Sequence, residues 1–433
     1  MTEFQRRSAV AAACLGWLFS AVDIVLLILF QGPIAEALGV PVQSVRIAIG
    51  VGLLGSALGG VAFAQLGDRH GRVRALGWAV IVYSVATAGI AFSPNMATLM
   101  AFRFVAGIGT GGEWSLGFAL IAEVWPKAGR GKMGGLVTAM FNVGTFLSIV
   151  LYQSGMSWRW AFGVMIFPAA GVIWLRYRVP ESPVWLELQA ARETGAIPEA
   201  LASQLDRPPL SALLRPPWRS VTLRITGLFA VLNFAFYGFS TVFINYLQLP
   251  ADGTAAGGLG LDRAGEMPYQ LALNFAAMFG VITAGALSDR LGRRPVFSAY
   301  CALGVGGYGW LYSLTAGHTS GPPSPLLLWA FVVICAGYGI NGVMGAMAPE
   351  LFPTHLRSTG PGFAQNVGKG VGGMTGPPLA GFLVGKWGFA WVLAAPGLLL
   401  ALCAGLVWLL PKVGGRDLDG VEDESFLRDE NLV

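Results

Sequence analysis

The sequence predicts an all-α membrane protein, with twelve transmembrane helices in two pseudo-symmetric six-helix bundles. Three observations lead there. Of 433 residues, 55% are hydrophobic and 12% charged, about half the charged share of an ordinary soluble chain. Apolar runs of roughly twenty residues recur along the chain, each long enough to cross a hydrocarbon core of about 30 Å as a helix. One charged motif is written twice, as LGDRHGRVRA at 66–75 and LSDRLGRRPV at 287–296, so that Asp68 and Asp289 hold the same place.

The spans are expected at 9–31, 44–66, 74–93, 97–122, 134–155, 159–177, 222–247, 269–288, 295–315, 326–348, 360–385 and 389–410. The first follows Arg6 and Arg7 as a signal peptide would, but its apolar run passes Ala21 and continues to Phe30 without a convincing cleavage site. It is therefore read as a membrane helix. Many of the 61 glycines lie inside spans, as in GVGLLGSALGG (50–60) and GVGGM (370–374), where they let helices pack closely. Cys14, Cys301, Cys335 and Cys403 all fall within spans and suggest no disulfide framework. With both termini placed in the cytoplasm, 22 of the 28 Lys and Arg lie on that side. Only Arg46, Arg159, Arg263 and Lys386 lie outside, and Arg103 and Lys369 are intramembrane. This positive-inside asymmetry accounts for the net charge of +5 with the lipid bilayer as partner and without nucleic acid.

A second repeat supports two halves. AEVWPKAGRG (122–131) and PELFPTHLRS (349–358) place Glu123, Pro126 and Arg130 opposite Glu350, Pro353 and Arg357. The expected domains are a first bundle at 1–178, a cytoplasmic connector at 179–221 with a surface helix, a second bundle at 222–411, and an acidic cytoplasmic tail at 412–433.

An ionised side chain at mid-bilayer costs on the order of 3 kcal/mol or more, so Asp23, Arg103, Glu113 and Lys369 are functional candidates. At 1.5 Å per residue, Asp23 lies roughly 12 Å and Arg103 roughly 9 Å below the outer ends of spans 1 and 4, so the two could meet. Opposite charge lowers the aspartate's affinity for a proton and desolvation raises it. The bland alternative is an arginine that staples helices. Glu113 is a second proton carrier, a partner of Lys369, or a carboxylic acid buried in neutral form. Gln365, Asn366 and Lys369 share one helix face, and a cation beside a central cavity suits an anionic substrate. A structural Lys369–Glu113 pair is the competing reading. Asn233, Tyr237 and Ser240, with Gln270 and Asn274, Tyr338 and Asn341, and Thr138, Asn142 and Thr145, are candidate cavity residues, each also explicable as helix-to-helix glue. Trp17 and Trp114 could supply apolar walls or face lipid.

D-R-x-G-R after spans 2 and 8, with Glu-x6-Arg after spans 4 and 10, resembles the major facilitator superfamily over nearly the whole chain. The second loop copy, from Gly285 to Arg294, matches fully, whereas the first has Ala64 and Val73 where glycine and a basic residue are expected. RFVAGIGTGGEW (103–114), AEVWPKAGRGK (122–132), SWRWAF (157–162) and VPESPVWL (179–186) are similar to the metabolite:proton symporters, nearest the sialate and lactate/pyruvate transporters. The resemblance implies alternating access around a central site. It implies a cytoplasmic gate of Asp68, Arg69, Arg72, Glu123, Arg130, Asp289, Arg290, Arg293, Glu350 and Arg357, in which the aspartates accept from helix N-termini and arginines and the arginines reach Glu123 and Glu350. Arginines that merely anchor topology are the alternative. It also implies that Asp23 and Arg103 are the proton-coupling pair, that the proton is the coupling ion with no other cofactor, and that the protein is a monomer in the plasma (inner) membrane.

No P-loop, G-x-G-x-x-G after a strand, or HExxH occurs, and His70, His318 and His355 all lie in or near loops. An enzyme and a nucleotide-driven pump are therefore disfavoured, and a channel has no need of paired latches. Span 7 reads Asn233-Phe-Ala-Phe236-Tyr237-Gly238-Phe-Ser240-Thr241. It keeps the asparagine of the fungal lactate signature N-x-x-S/T-H-x-S/T-Q-D and lacks its histidine, glutamine and aspartate. The expected function is proton-coupled symport of a small organic anion, a monocarboxylate such as lactate or pyruvate. Sialic acid or sugar symport and uncoupled facilitation stand as alternatives.

Overall fold

The computed structural model describes residues 3–167, 170–171, 179–194, 209–249, 257–316 and 325–413. The first half contains α1 (Glu3–Leu29), α2 (Gln31–Leu38), α3 (Val42–His70), α4 (Arg72–Ile90), α5 (Met96–Val124), α6 (Arg130–Gln153) and α7 (Trp158–Gly163). In the connector lie α8 (Pro183–Glu193) and α9 (Pro209–Leu213). The second half contains α10 (Trp218–Gln248), α11 (Arg263–Leu291), α12 (Arg293–Thr315), α13 (Pro325–Gly337), α14 (Ile340–Glu350) and α15 (Thr359–Leu406). Among the described residues, nine helical stretches are long and apolar enough to cross a membrane, and no strand occurs.

Local chemistry sets several boundaries. Asn95 caps α5 by accepting from the Thr98 amide at 3.0 Å, and Asp262 caps α11 by accepting from Gly265 N at 2.9 Å. Ser182 accepts from Trp185 N ahead of Pro183, a capped start with proline in the first turn. The two D-R-x-G-R loops turn at Gly71 (φ 105°) and Gly292 (φ 90°), backbone that a side chain would strain.

The last two expected spans are two helices that meet within α15 at Gly388, whose φ of 78° is not helical, close to the expected boundary between 385 and 389. Two departures from the expected spans have local causes. Span 10 is divided at Tyr338–Gly339 into α13 and α14. The short α2 follows the first span and buries Ile34 and Ala35 against Leu26, Phe30 and Trp158; its eight residues were too few to read as a span. Of span 6, α7 is described, whereas residues 168–169 and 172–178 lie outside the described residues. So do 195–208 of the connector and the expected acidic tail from 414 onward.

The packing of α3 against α5 positions the ionised groups. A methyl group at Gly55 would overlap the Phe104 carbonyl, one at Gly59 the Ile108 carbonyl, one at Gly107 the Gly52 carbonyl, and one at Gly111 the Ser56 carbonyl. The two backbones thus touch at four places over about two turns of each helix. In lipid, where no hydrophobic drive presses helices together, this dispersion contact holds them. Gly59→Leu should wedge the seam open and destabilise the protein by about 1–3 kcal/mol. Gly50→Leu, on the same helix with nothing within 4 Å, should leave the thermal midpoint in detergent unchanged.

Candidate functional site

Asp23 on α1 and Arg103 on α5 are 1% and 3% exposed. Arg103 Nη1 donates to Asp23 Oδ2 at 2.7 Å and to the Asp23 carbonyl at 3.4 Å. Thr87 Oγ1, on α4, donates to the other carboxylate oxygen, Oδ1, at 2.6 Å. The guanidinium lies across Gly52 of α3, where a methyl group would come within 2.9 Å of Nη2. Such a pair tolerates burial because both carboxylate oxygens are bonded, and removing one partner would leave a bare charge.

One turn further along α3 stands Ser56, and the second half of the chain reaches in to it. Lys369 Nζ donates to Ser56 Oγ at 3.3 Å. Asn366 Nδ2 donates to the Gly111 carbonyl at 3.3 Å and to the Gly362 carbonyl at 2.9 Å, and its amide fills the notch left by Gly60. Residues one turn apart have side-chain origins about 6 Å apart. Gly52 and Ser56 therefore bring Arg103 and Lys369 to flank the same turn of α3. Glu113 is buried in α5, and Gln365 is part-buried with its Oε1 unpartnered.

The softer polar candidates are bonded mostly within their own helices. Asn233 Nδ2 donates to the Phe229 carbonyl at 2.8 Å, Asn341 Nδ2 to the Tyr338 carbonyl at 3.0 Å, and the Tyr338 and Tyr308 hydroxyls lie 3.0 Å apart. Asn274 Nδ2 donates to the Asn142 carbonyl at 2.9 Å and ties α11 to α6. Tyr237 lies against Gly373 of α15. Trp114 packs edge-on against Phe229 at 5.5 Å, and Trp17 lies tilted at 46° against Phe141 at 5.6 Å.

The two charged repeats meet at one end of the molecule, and each aspartate caps a helix of the other half. Asp68 accepts from the amides of Ser358 at 3.1 Å and Thr359 at 2.7 Å, at the start of α15. Asp289 accepts from the amides of Gly131 at 2.8 Å and Lys132 at 2.9 Å, at the start of α6. Both are anions on orphan helix N–H groups. Arg72 donates to Glu123 Oε1 at 2.9 Å and across the halves to the Thr354 carbonyl at 2.6 Å, while Arg357 reaches Glu123 at 3.4 Å. Arg293 holds Glu350 through two donors, at 3.1 and 2.8 Å, and Asp289 at 2.8 Å. Arg130 Nε donates to the Trp125 carbonyl at 3.2 Å. Arg69 and Arg290, expected to reach Glu123 and Glu350, are exposed instead. Their helices turn them outward, since Arg72 and Arg293, just past the turn glycines, occupy the inward positions.

Sequence reasoning missed Thr87, Ser56 and Glu181. Glu181 accepts from Val73 N at 3.1 and 3.2 Å and occupies the space beside Gly71, while Trp185 Nε1 donates to the Asp68 carbonyl at 3.0 Å. The connector's VPESPVW stretch is thereby fastened to the first D-R-x-G-R loop. The sequence marks this stretch as a family-like motif, VPESPVWL, without indicating that it binds the loop.

The chain matches the family described as the Major Facilitator Superfamily over residues 11–262 and 269–426. The chain belongs to this superfamily. A putative metabolite transport protein of Haemophilus influenzae is 30% identical over 85% of this chain and 86% of its own length. A niacin transporter of Acinetobacter baylyi is 27% identical over 94% of each chain. Among solved structures, a proton:xylose symporter bound to 6-bromo-6-deoxy-D-glucose superimposes with a TM-score of 0.77, at 19% identity and over 98% of this chain and 99% of its own. This facilitator is an integral membrane transporter of metabolites and not an enzyme.

At the latched end, His355 is part-exposed as a residue, yet its Nε2 is sealed without a partner. Burial, reinforced by the guanidinium charges of Arg192, Arg357 and Arg72, pushes its pKa down to about 4. Parting the latch would return it to its ordinary 6.5. The histidine's contribution to closure is therefore full above pH 6.5 and is lost as pH falls toward 4. Between pH 7.5 and 5.5 the closed-to-open ratio should drop about tenfold, read as faster thiol labelling of a cysteine placed behind the latch, and His355→Gln should abolish that dependence.

Proposed function

We propose that this facilitator is a proton-coupled symporter of a small organic monocarboxylate, working by alternating access with its basic end in the cytoplasm of an inner-membrane topology. The Asp23–Arg103 pair carries this reading. With Asp23 ionised, Arg103 is neutralised within the first half. A proton on Asp23 removes that partner and leaves two cations, Arg103 and Lys369, flanking one turn of α3. A carboxylate binding there supplies the missing charge. Counting Asp23, Arg103 and Lys369, the core carries the same net charge when empty as when loaded with both proton and anion, and a different charge with either alone, so the two ligands leave the buried charge unchanged only when they bind together. Niacin, which the Acinetobacter relative is named for transporting, is itself a carboxylic acid. The basis for orientation is the clustering of Lys and Arg at the latched end.

In this cycle, opening toward the cytoplasm breaks the aspartate caps at Asp68 and Asp289 and the Arg72 and Arg357 bridges. It also withdraws Asn366 and Lys369 from α3 and α5, so the lysine senses both the anion and the state of the gate. Arg293, Glu350 and Arg130 stay within their own halves and shape the latch. Glu113, buried further along α5, is a second candidate for carrying the proton.

In proteoliposomes with an alkaline interior, Asp23→Asn should lose accumulation of carboxylate above the external concentration while retaining counterflow exchange. Undiminished pH-driven accumulation would remove Asp23 from the mechanism. Lys369→Gln should weaken carboxylate binding about ten- to a hundredfold, the measure of one charged hydrogen bond. Unchanged affinity would assign Lys369 to the α3–α15 tie alone.

A further inference from the structure

Given the carboxylate reading above, on which this rests, we infer that the transported anion is a planar aromatic or heteroaromatic ring acid, and neither a short aliphatic acid nor a hydroxylated sugar acid. The argument starts from what surrounds Lys369. On α15 it is bracketed by Gly368 and Gly373, and the absence of side chains there lets α10 lie close. A methyl group at Gly368 would stand 2.7 Å from Phe229 Cβ, and one at Gly373 would stand 2.9 Å from Tyr237 Cδ2. The α10 face carrying Phe229, Asn233 and Tyr237 therefore runs alongside the lysine, with an aromatic residue on either side of it.

The rings continue outward from that face. Phe236 meets Tyr237 edge-on at 5.3 Å and 81°, and it meets Tyr338 edge-on at 5.3 Å and 76°. Tyr338 stands where α13 breaks into α14. Phe236 is nonetheless 39% exposed, so its ring keeps open surface between two aromatic neighbours. On the other side of the lysine, Trp114 stacks edge-on against Phe229 at 5.5 Å and closes the floor across the two halves.

Beside these rings, on α10 and around the α13–α14 break, four polar side chains are engaged by their own backbone or by another hydroxyl. Asn233 bonds the Phe229 carbonyl, Ser240 the Phe236 carbonyl at 2.7 Å, Asn341 the Tyr338 carbonyl, and the Tyr338 hydroxyl pairs with that of Tyr308. A sugar acid would need those groups for its hydroxyls, and a site that leaves polar groups unmatched loses heavily. A three-carbon acid would bond the lysine and leave the rings unfilled. A planar ring acid places its carboxylate on Lys369 and its face or edge among Phe236, Tyr237 and Tyr338, in the offset and edge-on geometries that aromatic quadrupoles favour.

The test is a ligand series on the intact purified protein, read by thermal shift and by competition for uptake in proteoliposomes. The probes are benzoate, nicotinate, cyclohexanecarboxylate, lactate, N-acetylneuraminate and benzyl alcohol. Benzoate or nicotinate should bind, cyclohexanecarboxylate about tenfold more weakly, and lactate, N-acetylneuraminate and benzyl alcohol weakest. Phe236→Leu and Tyr338→Leu, checked for an unchanged thermal midpoint without ligand, should cut the preference for benzoate over cyclohexanecarboxylate. Tighter binding of lactate or N-acetylneuraminate, still lost in Lys369→Gln, would overturn the ring-acid inference and leave the carboxylate symporter standing. Equal binding of benzoate and cyclohexanecarboxylate would overturn it too, whether or not the variants fold. Absence of any carboxylate effect would remove both.

Discussion

Much of this structure depends on the absence of side chains along the seam between α3 and α5. Gly52, Gly55, Gly59, Gly107 and Gly111 bring two backbones into direct contact, and everything ionised nearby takes its position from that contact. Arg103 lies over Gly52 because nothing projects there, and its guanidinium is thus aimed at α1 and Asp23. Ser56 and the Gly111 carbonyl are left as the polar points on the far side, and these receive Lys369 and Asn366. In a bilayer, where lipid solvates apolar side chains as well as a neighbouring helix does, a seam of this kind is among the few ways to fix two helices to within an ångström.

The same economy governs the charges. Two buried carboxylates at the latched end have several partners each: Asp68 has two amides, a hydroxyl and Arg72, and Glu123 is shared by Arg72 and Arg357. At mid-depth Asp23 has Arg103 and Thr87. Charges so placed hold a conformation only while every partner is present, and the loss of one member leaves the others uncompensated. Tight closure and ready release then have the same origin, since the bonds that hold the latched end are ones that water makes equally well once it enters.

Fold and charge pairs were legible in the sequence because lipid penalises exceptions. Apolar runs of the right length announce helices, and an aspartate or arginine inside one announces a partner, so Asp23 and Arg103 could be paired from depth alone. The repeats announced the latch because glycine at a fixed place after aspartate is required by the turn at Gly71 and Gly292. Thr87 and Ser56 were not legible, since a hydroxyl in a membrane helix costs little and bonds its own backbone as readily as a neighbour. Nor could the sequence tell which amides are taken up internally. Asn233, Asn341 and Asn366 looked alike as polar points on apolar helices, and only packing separates Asn366, wedged between α3 and α5, from the two that bond within a turn of themselves. The break at Tyr338 was hidden because its glycines resemble those that merely ease packing elsewhere.

The exchanged aspartate caps have a consequence for how solvent takes part. Asp68 and Asp289 satisfy main-chain donors at the first turns of α15 and α6, and such donors must be wetted as soon as they are uncovered. Parting the halves at this end therefore draws in water at two symmetric places at once, together with the volume needed to hydrate both carboxylates. The transition carries a hydration change of defined location, so solutes excluded from the crevice hold the protein shut by osmotic pressure alone, without touching the transport site.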